Sequence, residues 1–126
     1  MSCILVIEGN TGVRKIISEF LTNSGHEVLN AKNGKVGLEK CSETVDFVIT
    51  ALLMPEKDGL EVIAEVKSKW PDIKIICLDA VWDHAPDIDF FKIAKMLGAS
   101  YVLKQPVNLP EVLQVINCLR MPKRTG

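Results

Sequence analysis

Two carboxylates stand directly behind apolar runs in this chain. Glu8 follows Cys3-Ile4-Leu5-Val6-Ile7, and Asp79 follows Ile73-Lys74-Ile75-Ile76-Cys77-Leu78. Acids at the ends of buried strands are placed to hold a hard cation or to move a proton. Other candidates are weaker. Gly9-Asn10-Thr11-Gly12 lies between a strand pattern and a helix pattern, as phosphate-binding loops do, but lacks their glycine spacing and a Gly-Lys-Ser/Thr ending. It is expected as a tight turn. His84 has Asp83 and Asp87 nearby and is expected as an exposed loop histidine; its neighbour Trp82 either folds onto the domain or meets a partner. No Ser–His–Asp or Cys–His set can be assigned, and no enzymatic activity is expected.

These residues need a scaffold, and the hydrophobic pattern supplies one. Short apolar runs at Cys3–Ile7, Val28–Leu29, Phe47–Thr50, Ile73–Leu78 and Tyr101–Leu103 read as strands. Between them, apolar residues recur at helical spacing. They are Val13, Ile16, Ile17, Phe20 and Leu21; then Val36, Leu38 and Cys41; then Leu60, Val62, Ile63 and Val66. Ile88, Phe91, Ile93, Ala94 and Leu97 follow, then Leu109, Val112, Leu113, Ile116 and Leu119. Gly25 and Gly98 close helices, Pro71 ends one, and Asn108 caps the last. Strand–helix alternation of this kind predicts an α/β fold: a parallel sheet with right-handed crossovers and helices on both faces.

The bulk properties fit one domain. The chain has 126 residues, 48% of them hydrophobic and 25% charged, enough for a stable core without metal or disulfide staples. A net charge of −1 argues against direct nucleic-acid binding or an anionic membrane surface. Arg120, Lys123 and Arg124 form the only basic cluster, read as a solvated end or linker stub over residues 122–126 after a domain at 1–121. Cys3, Cys41, Cys77 and Cys118 are too dispersed for a metal knuckle or a Cys-x-x-Cys motif. They are expected as buried free thiols in a reducing, cytoplasmic setting. No run approaches the roughly 18 apolar residues of a membrane span.

Four landmarks acquire meaning together. They are the acid after the first strand, Met54-Pro55-x-x-Asp58-Gly59, Gly98-Ala99-Ser100 before the fifth strand, and Pro106 after it. From Ile4 to about Leu119 the chain resembles the receiver domain of two-component response regulators (the CheY-like superfamily). The resemblance implies a flavodoxin-like fold with strand order 2-1-3-4-5 and a site at the carboxyl ends of the strands. It also implies a site chemistry: two acids for Mg²⁺ after the first strand, an aspartate nucleophile after the third, a Thr or Ser after the fourth, and a Lys after the fifth. Aligned without gaps, those positions hold Glu8 and Gly9, Ala51, Asp79 and Gln105. Val102 takes the place of the switch aromatic.

A methyl group at Ala51 cannot attack phosphorus, Asp79 would repel a phosphoryl group, and Gln105 brings no charge to offset one. Lys104 and Tyr101 each stand one residue from a lost position, and strand alternation turns them to the other face. Glu8, Asp79 and a Leu53 carbonyl would be a thin Mg²⁺ set, so solvated acids, or one acid bonded to loop amides, are expected and no cofactor is. The expected function is a degenerate, phosphorylation-independent receiver acting through a protein partner: a kinase, an output domain or a second copy. The implied contact face holds Phe90, Phe91, Lys95, Tyr101, Lys104 and Gln114. Two alternatives stand beside it. One is a small-ligand binder at the switch-point cleft; the other is an ordinary regulator inactivated at its acceptor.

Overall fold

A computed structural model describes residues 2–52, 58–79, 89–104 and 106–120, without the side chains of Asp79 and Phe90. Five strands and five helices alternate along them: β1 (Cys3–Ile7), α1 (Thr11–Asn23), β2 (Glu27–Ala31), α2 (Gly34–Lys40) and β3 (Phe47–Ala51), then α3 (Gly59–Lys69), β4 (Lys74–Asp79), α4 (Phe90–Leu97), β5 (Tyr101–Lys104) and α5 (Leu109–Arg120). The sheet is parallel, in the order β2-β1-β3-β4-β5. This is the predicted flavodoxin-like fold.

Period-two alternation divides the core into two layers. Leu5 and Ile7 of β1, Val48 of β3 and Ile75 and Cys77 of β4 face one layer with Val62, Ile63 and Val66 of α3. Ile4, Val6, Phe47, Ile49, Ile76 and Leu78 face the other with Ile17 and Leu21 of α1 and Val112 and Ile116 of α5. Every residue of β3 is buried, as expected for a central strand covered on both sides.

Polar caps set the helix starts. Asn10, Asn33, Asp58 and Asn108 each accept from a backbone N–H three residues on, at 2.9–3.0 Å. The Asn10 cap starts α1 at Thr11, so the polar loop ends two residues earlier than the sequence suggests. Gly25 and Gly98 take positive φ, 95° and 120°, just past α1 and α4. Strand ends also shift: β3 and β4 run one residue further and terminate in Ala51 and Asp79 themselves.

The β2 border is guarded. Glu27 N–H and Ala31 C=O bond toward β1, so the intervening Asn30 turns its backbone outward. Lys40 Nζ donates to that outward Asn30 carbonyl.

The thiol expectation needs one correction. Cys41 and Cys77 are buried and Cys3 half-buried, but Cys118 is exposed. On α5 the buried stripe is Val112, Val115 and Ile116, and helical geometry carries position 118 off its flank. Trp82, His84, Ile88 and the stub at 122–126 lie outside the described residues.

Candidate functional site

The carboxyl ends of four strands stand in register at one edge of the sheet. Ile7 pairs with Thr50, Ala51 with Leu78, and Asp79 with Lys104. Glu8, Ala51 and Asp79 therefore leave neighbouring strands β1, β3 and β4 at the same end. Leu53 and Gln105 lie outside the described residues.

Of the two expected readings, Glu8 takes that of an acid bonded to a loop amide rather than a solvated one; it is 7% exposed. Its backbone N–H donates to the Ala31 carbonyl, which extends the β1–β2 pairing by one step past the strand. Its Oε1 accepts from Asn10 N–H at 3.0 Å, and Arg14 reaches back from α1 to donate to the Glu8 carbonyl at 2.6 Å. Oε2 is buried with no hydrogen-bond partner among the described residues. A buried carboxylate oxygen without a partner is costly, and such atoms mark places where a structure is held for a reason other than stability. Gly9 follows, exposed and without a side chain.

Ala51 is 4% exposed. The Ala51 carbonyl accepts from the Thr50 hydroxyl at 3.0 Å, and Leu52 N–H donates to Leu78 O at 3.1 Å. Gly59 N–H then donates to Leu52 O at 2.7 Å, drawing the start of α3 onto the end of β3. That contact is why a glycine stands beside the Asp58 cap: a Cβ at position 59 would meet Ala51 O at 2.2 Å. The loop end is thus fixed by backbone hydrogen bonds that do not depend on the side chain at 51.

These residues are poorly matched to Mg²⁺. The described ones contain no group of three or more His, Cys, Asp or Glu side chains able to hold a metal ion. Glu8 brings one unpaired oxygen, and neither Gly9 nor Ala51 brings any. Mg²⁺ needs near-octahedral oxygen ligands, and the donors among the described residues do not fit it.

On the far side, β5 is exposed at its two ends and buried in its middle. Tyr101 is 40% exposed while Val102 and Leu103 are buried and Lys104 is exposed. Phe91, Lys95 and Gln114 are also exposed. Lys95 Nζ lies 5.7 Å from the Tyr101 ring centre and donates to Ser100 O at 3.1 Å, so one ammonium ties the end of α4 to the start of β5. Between β5 and α5 runs an open groove of about 550 Å³ lined by Tyr101, Pro110, Gln114, Val115 and Leu119 among others.

His26 is among the buried polar residues that escaped sequence reasoning. His26 is 7% exposed, and its Nδ1 accepts from Ser2 N–H at 3.2 Å. Burial, with help from Arg120, lowers its pKa from the ordinary value. It sits at the amino end of the sheet, opposite the cleft, and belongs to the fold's closure there.

Residues 4–117 match the family profile of the response regulator receiver domain. The chain is 31% identical over 116 residues to the chemotaxis protein CheY of Bacillus subtilis, covering 90% of this chain and 93% of that protein. It is 30% identical over 118 residues to a cyclic di-GMP phosphodiesterase of Thermotoga maritima, covering 93% of this chain and 31% of that protein. It spans less than half the length of several such relatives. Among solved structures, a response regulator receiver domain protein from Clostridium thermocellum superposes with a TM-score of 0.84 at 30% identity, covering 94% of each chain.

Proposed function

This chain belongs to the response regulator receiver family of two-component signalling, and on that footing we propose that it is a receiver that signals without accepting a phosphoryl group. The observation that carries the reading is Ala51, buried at the carboxyl end of β3 where the family resemblance puts the acceptor aspartate. A methyl group offers no lone pair to phosphorus. The neighbouring substitutions agree with it: Gly9 removes one metal ligand, Asp79 replaces a neutral hydroxyl with a charge, and Gln105 replaces a cation.

The domain then works by contact with a protein in the cytoplasm rather than by catalysis. Phe91, Lys95, Tyr101, Lys104 and Gln114 supply an exposed surface across α4, β5 and α5. An amphipathic tyrosine pinned by a lysine is a suitable anchor, since it offers ring area at little entropic cost. A kinase, an output domain or a second copy fits such a face. Val102 is buried at the position of the family's switch aromatic, so the surface has no ring there to move between states.

Incubation with labelled acetyl phosphate and Mg²⁺, followed by gel filtration, tests the reading. No label should stay with the protein. Label retained at Glu8 or Asp79 would overturn it.

A further inference from the structure

Building on the contact function proposed above, we infer that the partner of the α4–β5 face is an acidic protein segment carrying apolar side chains, and not a second copy of this chain. Five large hydrophobic side chains are exposed among the described residues. Four of them, Phe91, Met96, Leu97 and Tyr101, fall within α4 and the start of β5. Met96 is the most open, at 77%. Ile16 stands by itself on α1, as scattered apolar residues do on any surface. Apolar area gathered on one face instead marks a place that another molecule covers.

The charges of this face are nearly all of one sign. From 89 to 104 the chain carries Lys92, Lys95 and Lys104 against a single acid, Asp89. Asp89 is engaged as the cap of α4, where its Oδ1 accepts from Lys92 N–H at 3.0 Å. All three lysines are exposed, and none forms an ion pair among the described residues. At about 100° of helix per residue, Phe91, Lys92, Lys95 and Met96 share an outward arc of about 140°, turned away from buried Ala94. Phe91 stands four residues before Lys95, and Lys92 four before Met96, so each apolar side chain has an ammonium beside it. Lys95 then reaches the Tyr101 ring, 5.7 Å from its centre, and carries the mixed surface onto β5.

This combination discriminates among partners. A second copy docked by a two-fold axis would bring the same patch against itself, lysine toward lysine. Like charges suppress such pairing. An anionic membrane is recognised by clusters of roughly four to eight cations, whereas this face has three on a chain of net charge −1. A segment with Asp or Glu interleaved with Leu or Phe meets both features. Its carboxylates reach the ammoniums while its apolar side chains cover Phe91 and Met96.

Random peptides displayed on phage and selected on the folded full chain read the partner's chemistry directly. The expected consensus is rich in Asp and Glu with apolar residues between them. A synthetic peptide of that consensus should shift backbone amide resonances of α4 and β5. Lys92→Glu/Lys104→Glu, checked for an unchanged thermal melt, should weaken its binding about tenfold. Met96→Asp should weaken it as well, through the apolar half. A peptide with its acids exchanged for Lys should bind the doubly reversed variant better than the native chain. Four results would overturn the inference: a neutral or basic consensus, amide shifts on another face, retention of the chain on phosphatidylserine vesicles, or a concentration-dependent dimer whose shifts fall on α4 and β5. None of them bears on labelling by acetyl phosphate, so the partner's charge and the phosphate-free reading fail separately.

Discussion

Gly59 sits against the backbone of Ala51, with a Cβ-to-oxygen gap of 2.2 Å if one were added. Backbone, not side chain, therefore couples the start of α3 to the end of β3. A strand end held this way keeps its shape whatever side chain residue 51 carries. The backbone geometry at the carboxyl end of β3 is therefore separable from the chemistry of the side chain it carries.

Gly59→Ala should destabilise the domain by about 2 kcal/mol, the usual range for an overpacked contact that must push backbone aside. Urea unfolding would show it as a lower midpoint at unchanged slope. Gly12→Ala is the control, since its added Cβ would meet only the Asn10 side chain at 3.3 Å.

Restoring the acid alone should not restore chemistry. In Ala51→Asp, Gly9 still withholds a metal ligand and Gln105 still withholds a cation. Labelled acetyl phosphate should leave this variant unmodified. Mg²⁺-dependent labelling would instead identify the chain as an ordinary receiver disabled at one position.

Acid should weaken the fold through His26. Its folded pKa is lowered below the ordinary 6.5, so the unfolded chain takes up the proton first. The stabilisation is complete above that ordinary value. It declines as pH falls from there toward the folded pKa, then levels off. Urea midpoints measured across this window should fall for the native chain and fall less for His26→Gln.

Tyr101→Ala should reduce association while leaving the fold nearly intact. The ring is exposed and its cation–π contact with Lys95 is worth about 0.5–1 kcal/mol. Light scattering over a wide concentration range, compared with a thermal melt, separates the two effects. A concentration-dependent dimer in the native chain that persists in the variant would move the contact away from β5.

Much of the fold was legible because it depends on period. Continuous apolar runs gave the buried strands, and the helical repeats gave the layers that cover them. Alternation alone was enough to set Tyr101 and Val102 on opposite faces. The site was harder. Glu8 precedes Gly9 and Asn10, a polar string that reads as solvated loop, yet the Ala31 carbonyl from β2 draws it inward. Nothing local marks His26, because its partner, Ser2 N–H, is 24 positions away in sequence. Asn10 was hidden as a cap because Thr11 and Gly12 are weak helix formers. The contacts at Glu8 and His26 are made across the chain and are invisible to a local window, whereas the Asn10 cap is local, reaching only Val13.

Lys40 has a consequence for what this sheet can become. With its ammonium on the outward Asn30 carbonyl, β2 presents an occupied margin, and a strand arriving there must first evict a cation. No such plug is seen among the described residues of β5. Charge held at that margin disfavours pairing of β2 with a strand from another chain.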